Sequence, residues 1–590
     1  MCGIAGTWGR ESGGGARTAD AMTATLIHRG PDDVGSYARP GVRLGVRRLS
    51  IVDVAGGTQP FYDETGRICM VANGEIYNHD ELRAKLRARG HRFASRCDIE
   101  VIVHLYEEYG DRCVDHLRGM FAFAIADGDR LLLARDRLGI KPLYHADVPG
   151  GVAFASEMKA LLRHPDVRPR LDLQAFADSR ALGYPVGDRT FIDGIRCLLP
   201  GHTMVVTKGP DGPTSEVTRY YRLPATHDES VSFDSAQDQL IETLRETVRS
   251  HLTADVEVGL ILSGGLDSAV LAMLARDAGR PPHAFSVASE PGHPDLVQAG
   301  RLATGLGLPH SVTVMTFEDY LAAIPGFTHA QEVPGNLGNV GLYRLYRQAG
   351  TSLKACLNGE GADEIFGGYP EYLDQEHIGR FVKDRLRRLA AYGGSDIKPS
   401  AEVLEIIYAV ARPRQSYEAY LERVFVHNLR DQLVRQHLEP VDKCAMAAGV
   451  EMRVPFMDHR LVELVLTLPT RYKVDSTFEI QKHVLKRAAL RAWGADGPIA
   501  DSVLRRKIGV PMATGYRKKF DAMCERRLPD DYLARHELGP YFVRKADLLL
   551  HELFTEIFLT GRGATPTELS LDDFISERAG RALASGSRLR

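Results

Sequence analysis

Apolar residues in the first two hundred positions fall in short runs, among them Met70–Ala72, Met120–Ala126 (MFAFAIA), Leu131–Ala134 and Gly151–Ala155, each bounded by Gly, Asp or Pro. Runs of that length between turn residues predict strands, and several in succession predict stacked antiparallel sheets. Asp80–Arg89 and Asp98–Tyr109 carry helical spacing instead, so the unit reads as a layered α+β domain. The pattern then changes. Leu240, Leu244, Val248 and Leu252 recur every four residues, and an apolar strand, Val256–Leu262, follows at once. Strands at His283–Ala288 and Leu353–Leu357 alternate with helical stretches at Ala269–Arg276 and Gly341–Gln348, the order expected of an α/β parallel sheet. Beyond about residue 375 the chain reads as mostly helical. The Gly/Pro/Thr-rich Lys208–Thr218 and the polar Ala225–Asp234 interrupt these patterns. The division expected is therefore a first domain over 2–207, a linker over 208–234, a second domain over 235–530, and a helical extension over 531–590 whose Gly/Ser/Arg-rich end frays.

Length supports that division, since 590 residues correspond to roughly four ordinary units or two large ones. Acidic residues number 77 and basic residues 74, a formal charge of −3, and no basic excess points to a nucleic-acid partner. With 44% hydrophobic and 26% charged residues the composition is that of a soluble globular protein. No apolar run approaches the roughly eighteen residues of a membrane span. The N-terminus MCGIAGTWGRESGGG lacks a charged region followed by a long apolar stretch, so a cytoplasmic protein is expected. Eight cysteines without CxxC pairs read as reduced, buried thiols. Cys2 differs by position, because removal of Met1 exposes a thiol beside a free α-amine, a nucleophile with a built-in base.

Cys2-Gly3-Ile4-Ala5-Gly6 is followed by His28–Asp32 (HRGPD), Arg48–Asp53 (RLSIVD), Asn73–Asn78 (NGEIYN) and Cys97–Glu100 (CDIE). Together these clusters resemble the class II glutamine amidotransferases, whose glutaminase domain is an αββα-type N-terminal nucleophile fold. The resemblance implies that Cys2 attacks the glutamine amide. Asn73 and the Gly74 N–H, at an Asn-Gly turn, would stabilise the oxyanion, where losing one such donor costs about 3 kcal/mol. Arg48 would clasp the glutamine carboxylate bidentately, and Glu75 and Asp98 would receive its amine. Singly, these residues also read as a hairpin turn, a solvated arginine and helix-start acids. Their joint order carries the resemblance.

Ser263–Ser268 (SGGLDS) lies between the strand Val256–Leu262 and a helical stretch, where a Gly-rich turn offers converging N–H groups to a phosphate. It matches neither the P-loop nor the dinucleotide fingerprint, and it resembles the pyrophosphate loop of ATP pyrophosphatases. A second cluster, Asn358–Tyr369 (NGEGADEIFGGY), follows the strand Leu353–Leu357. Two loops at the carboxyl ends of parallel strands could face one site, with Asp267 and Asp363 as Mg²⁺ ligands. Helix capping is the other reading of these acids, of Glu364 above all.

Both loops resemble the asparagine synthetase family, and the match continues through Val441-Asp442-Lys443, Gly449–Asp458 (GVEMRVPFMD) and Arg506-Lys507. The resemblance implies an ATP site of Leu262, Ser263, Gly264, Gly265, Asp267, Ser268, Val287, Asn358 and Gly359. Glu360 would take a proton from attacking ammonia and Lys507 would offset phosphate charge, unless Lys507 is only a solvated member of the Arg505–Lys507 run. In that scheme glutamine is hydrolysed at Cys2, ammonia crosses an internal tunnel, and a carboxylic acid activated by ATP as its acyl-adenylate is amidated, aspartate being the default acceptor and a homodimer the assembly it admits. Two departures bear on the acceptor. Asn358 stands where the family often has Ser, and Glu332–Tyr343 (EVPGNLGNVGLY) contains no basic residue, although a dicarboxylate needs a cation for its spare charge. Another acid, a β-lactam synthetase-type cyclisation and a non-catalytic nucleotide-binding regulator therefore stay open. Cys2, Arg48, Asn73, Gly74 and Asp98 speak against the cyclase, and Asp267, Glu360 and Asp363 against the regulator.

Overall fold

The computed structural model describes residues 2–580 except 10–14, 210–211, 370–371, 374, 391–395, 412–416, 476, 478, 497–498 and 506–514. The N-terminal half contains two six-stranded antiparallel sheets. One runs, in spatial order, Ile195–Cys197, Tyr144–Val148, Gly151–Ala155, Cys2–Gly9, Val42–Arg48 and Asp33–Arg39. The other runs Gly212–Arg219, His202–Gly209, Arg130–Arg135, Gly119–Asp127, Ile68–Ile76 and Phe61–Tyr62. Strand periodicity explains the layering. Ala122, Ala124 and Ala126 join Cys2, Ile4, Leu44, Val46 and Leu133 in the core between the sheets. Phe121, Phe123 and Ile125, pointing the other way, pack with Leu82, Leu86, Val101 and Leu105 of the helices His79–Ala88 and Val101–Tyr109. The helix Gly15–Thr25 lies against Cys2–Gly9 and Val42–Arg48 on the far side, which completes an αββα order. MFAFAIA is apolar throughout because both of its faces are buried.

The expected linker is partly β-structure. His202–Gly209 pairs antiparallel with both Arg130–Arg135 and Gly212–Arg219, so the described part of Lys208–Thr218 lies in paired strands at the edge of the second sheet. Its composition hid the strand because Gly212–Arg219 is exposed along nearly its whole length and lacks an apolar face. Residues 220–232 carry no helix or strand. Ser232 then caps the helix Phe233–His251 by accepting from the Ser235 N–H, and Leu240, Leu244 and Val248 bury its apolar face.

The C-terminal half is built on a five-stranded parallel sheet ordered His310–Val314, Ala284–Ala288, Val258–Ile261, Ala355–Leu357 and Glu451–Arg453. Strand order reverses between Val258–Ile261 and Ala355–Leu357, the switch point at whose carboxyl ends ligands gather in open α/β sheets. The extension packs back on the N-terminal half: Arg562 donates to the carbonyls of Leu162, His164 and Val167, and Phe554 meets Phe191. Residues 581–590, where fraying is expected, lie outside the described residues. All eight cysteines are buried free thiols. Among the described residues no helix is long and apolar enough to cross a membrane.

Candidate active sites

Cys2 opens an inner strand and is 4% exposed. Its main-chain N–H donates to Asn73 Oδ1 at 3.0 Å. The other end of that amide, Asn73 Nδ2, is buried and has no hydrogen-bond partner, a donor aimed at nothing in the chain itself, which native proteins seldom leave without a reason. Asn73 and Gly74 are not at a turn, as the sequence suggests, but inside the strand Ile68–Ile76, opposite Ala122 and Phe121. Glycine is required there for closeness: a Cβ on Gly74 would sit 2.2 Å from the Met120 carbonyl oxygen. Gln59, which motif reading passed over, exchanges hydrogen bonds with the Ala72 main chain at 2.7 and 2.9 Å. Its Nε2 also lies 3.3 Å from Cys2 Sγ. Burial pushes the Cys2 thiol up, with Arg48 among the charges opposing it.

The other three expected glutamine-site residues are all buried, and their partners differ from the solvated readings. Arg48 donates to the carbonyls of Val52, Asp53 and Val54, which shapes the loop following its strand. Asp98 Oδ2 accepts from the Ile76 N–H at 2.7 Å. Glu75 pairs with Arg453 of the C-terminal half at 2.8 Å. Burial and then the nearby Asp98 raise the Glu75 carboxyl well above its usual range.

That pair belongs to a buried ionic network between the halves. Arg29 donates to the Cys2 carbonyl at 3.2 Å, to Glu157 at 2.9 Å and to Asp442 at 2.8 Å. Lys141 reaches Asp442 at 3.0 Å. Lys159 and Lys443 hold Glu332 at 3.3 and 2.8 Å. The VDK and GVEMRVPFMD segments therefore supply the interface: Asp442, Lys443, Arg453 and also Asp458, which accepts from Arg118 at 2.7 Å. Buried ions are tolerated only when fully paired, which accounts for acids and bases recurring in these otherwise apolar segments.

The second site forms at the switch point. Leu262, one residue past the strand Val258–Ile261 rather than within it, leads into Ser263-Gly264-Gly265, which opens the helix Leu266–Asp277. Gly264 has φ +73° and a Cβ there would lie 2.6 Å from the Asp295 carbonyl oxygen, so the loop conformation needs glycine. Ser268 Oγ accepts from the Ser263 N–H and donates to the Gly265 carbonyl, both at 3.2 Å. Ser502 supports the loop from outside through Gly264 O. Gly359 brings the second loop against the first, where a Cβ would meet Asp267 Cβ at 3.1 Å. Asn358 is buried, its amide donating to Tyr346 Oη and accepting from the Glu360 N–H, each at 2.9 Å. Val287 is half-buried on the neighbouring strand Ala284–Ala288.

Two cations that the motifs did not suggest organise the acids. Lys482 Nζ lies 2.5 Å from Asp267 and 2.7 Å from Asp363, bridging the two loops. His437 lies 3.5 Å from Glu360 and 3.8 Å from Glu364. Burial opposes its charge, but Glu360, Glu364 and Asp363 together raise it to about 9. Glu364 also accepts from Tyr369 Oη at 2.5 Å, so it is a buried network member rather than an exposed helix cap. Lys507 lies outside the described residues.

The chain matches a glutamine amidotransferase domain over residues 1–221 and an asparagine synthase domain over residues 239–563. It is 32% identical to asparagine synthetase [glutamine-hydrolyzing] 3 of Bacillus subtilis, across 86% of each chain. It is 28% identical to asparagine synthetase [glutamine-hydrolyzing] 1 of the same organism, across 87% of each. With asparagine synthetase B [glutamine-hydrolyzing] of Escherichia coli it shares 30% identity over 82% of this chain and 78% of that one.

Proposed function

Since the chain belongs to the glutamine-hydrolysing asparagine synthetase family, an amidotransferase and ligase, we propose that it releases ammonia from glutamine at Cys2 and uses it to amidate an ATP-activated carboxylic acid at the switch point of the parallel sheet. The observation that carries the first step is the pairing of Cys2 with an Asn73 amide whose Nδ2 has no partner. When the Cys2 thiolate attacks the glutamine amide carbon, charge collects on the amide oxygen, and a preset donor at that point lowers the barrier most. Once Met1 is removed, the Cys2 amine takes the thiol proton and returns it to the departing ammonia. Gln59 Nε2 at 3.3 Å steadies the thiolate against the burial that raises it. Arg48 and Asp98 bind the carboxylate and ammonium of glutamine, and Glu75, paired with Arg453, joins that pocket to the second half.

In the second site the acceptor carboxylate attacks the α-phosphorus of ATP, giving an acyl-adenylate and pyrophosphate. The loop 263–268 and Gly359, backed by Leu262, Val287 and Asn358, hold the nucleotide through the helix N-terminus and main-chain N–H groups. Asp267 and Asp363 both pair with the Lys482 ammonium, so the two carboxylates are near enough to share a cation, which supports a divalent ion there when nucleotide binds and Lys482 gives way. Mg²⁺, when bound with the nucleotide, would be held by these two carboxylates and would neutralise phosphate charge. Glu360 takes the proton as ammonia attacks the acyl carbon and AMP leaves, and His437, 3.5 Å away, orients its carboxylate. Lys507 offsets charge on the phosphates. Ammonia passing directly between the two sites would cross the interface at which Arg29 links the Cys2 carbonyl to Asp442.

Aspartate is the default acceptor. The absence of any basic residue from Glu332–Tyr343 favours a second reading, in which another carboxylic acid is amidated. A panel of acids assayed for glutamine-dependent AMP and pyrophosphate release separates the two: turnover of aspartate alone ends the second reading, and turnover of another acid without aspartate ends the first. Absence of AMP with every acid would remove the ligase assignment itself.

A further inference from the structure

Away from both sites, two imidazoles and two carboxylates meet on the outer edge of the N-terminal half. Glu64 lies between Phe61–Tyr62 and Ile68–Ile76, His91 follows the helix His79–Ala88, and His104 and Glu107 sit one turn apart on the helix Val101–Tyr109. His91 Nδ1 is 3.2 Å from Glu64 Oε1 and 3.5 Å from Glu107 Oε2. His104 Nδ1 is 3.7 and 2.9 Å from the same two oxygens. These four edges bracket the spacing of about 3.3 Å between ligand atoms placed tetrahedrally around zinc at 2.0–2.1 Å.

Two further observations separate this group from a chance acidic patch. His104 Nε2 is buried without a hydrogen-bond partner, 4.0 Å from Glu100, whereas His91 Nε2 lies 3.0 Å from the Glu108 carboxylate. The contact at His91 is the arrangement by which a carboxylate fixes the tautomer of a metal-bound histidine and raises its basicity. Among the described residues no lysine or arginine side chain pairs with Glu64 or Glu107, whose ionic partners are the two imidazoles alone, so with neutral imidazoles the pair of carboxylates calls for a cation. His104 is buried at 1% exposure, His91 and Glu107 are half-buried and Glu64 stands at the exposed rim, so the group opens to solvent on one side, where an ion can enter.

We propose that Glu64, His91, His104 and Glu107 bind one divalent zinc ion. A mixed imidazole and carboxylate set suits zinc, whereas Mg²⁺ and Ca²⁺ prefer oxygen alone. Four protein ligands close the coordination sphere, which makes the ion structural. It ties the β-turn at the sheet edge and the segment leading to Asp98 onto the helix that carries His104.

The test is metal analysis of the full chain, purified without a histidine tag or chelator, followed by titration of the stripped protein with ZnCl₂ against a chromophoric competitor. One zinc per chain is expected, with tight rebinding, X-ray absorption showing imidazole nitrogen at 2.0–2.1 Å, and a Tm that rises on zinc addition. His91→Gln and Glu107→Gln lower zinc affinity by more than the 10–100-fold typical of losing an outer partner, and Glu108→Gln lowers it by about 10–100-fold. Glu108→Gln alters an exposed helix position and keeps the test open if a ligand variant fails to fold. Zinc well below one per chain, or affinity unchanged in His91→Gln, Glu107→Gln and Glu108→Gln, overturns the proposal. So does a Tm that falls as the imidazoles lose their protons yet does not respond to zinc, the signature of a charged imidazole cluster instead.

Discussion

Arg453 and Glu75 stand 378 positions apart in sequence and 2.8 Å apart in space. Arg453 also donates to Glu451 and to the carbonyls of His251 and Thr253, so its guanidinium is filled by both halves. Arg453→Leu would remove the nearest counter-charge of the buried Glu451 carboxylate, which, against its burial, Arg453 holds below its usual range, a loss that typically costs about 3–5 kcal/mol. Thermal unfolding should show a drop of several degrees, and glutamine hydrolysis should weaken although the substitution lies outside that domain. An unchanged Tm together with normal hydrolysis would mean that the halves are not coupled through this pair.

Asn73→Ala removes both the acceptor for the Cys2 main chain and the unpaired Nδ2 donor. Loss of one oxyanion donor lowers kcat by about 10²–10³-fold, and that fall is expected in glutamine hydrolysis. With ammonium chloride as nitrogen donor, amide synthesis should continue close to the wild-type rate, as it should in Cys2→Ala. Equal losses with glutamine and ammonium would refute the separation of the two sites.

His437 gives a pH signature. Its folded value of about 9 lies above the ordinary 6.5, so protonation favours the folded state. The contribution is complete below about pH 6.5 and disappears as pH rises through 9, and it amounts to at most about 3 kcal/mol. The Tm gap between wild type and His437→Gln should therefore narrow from pH 6 to pH 10. Parallel profiles across that range would show that the imidazole stays neutral.

The parts of this architecture that local pattern dictates were legible in the sequence. Leu240, Leu244 and Val248 mark their helix by spacing, MFAFAIA marks a doubly buried strand, and SGGLDS marks a strand-to-helix turn. The paired strands at that sheet's edge were not legible, because Gly212–Arg219 has only one strand neighbour and no apolar face. Lys482 and His437 escaped for another reason: a lone charge 215 residues from Asp267 has no local pattern, and only the fold reveals its partners. Asn73-Gly74 misled in detail, since Asn-Gly favours a turn when isolated, yet the Met120 carbonyl needs the same glycine within a strand.

Lys482 bears on how the second site handles charge. Its ammonium stands between Asp267 and Asp363, where the proposed Mg²⁺ would also bind, and the residue adopts φ +53°, a conformation a non-glycine side chain takes only under constraint. Lys482→Gln leaves two carboxylates facing each other without their cation. In the absence of nucleotide their repulsion should draw Mg²⁺ more tightly, which isothermal titration would show as a lower Kd than for wild type. With ATP present the variant should release pyrophosphate more slowly, because the cation that aligns the two loops is gone, while glutamine hydrolysis at Cys2 persists. If Mg²⁺ affinity and pyrophosphate release both match the wild type, the lysine is a bystander and the two loops are held together by packing at Gly359 instead.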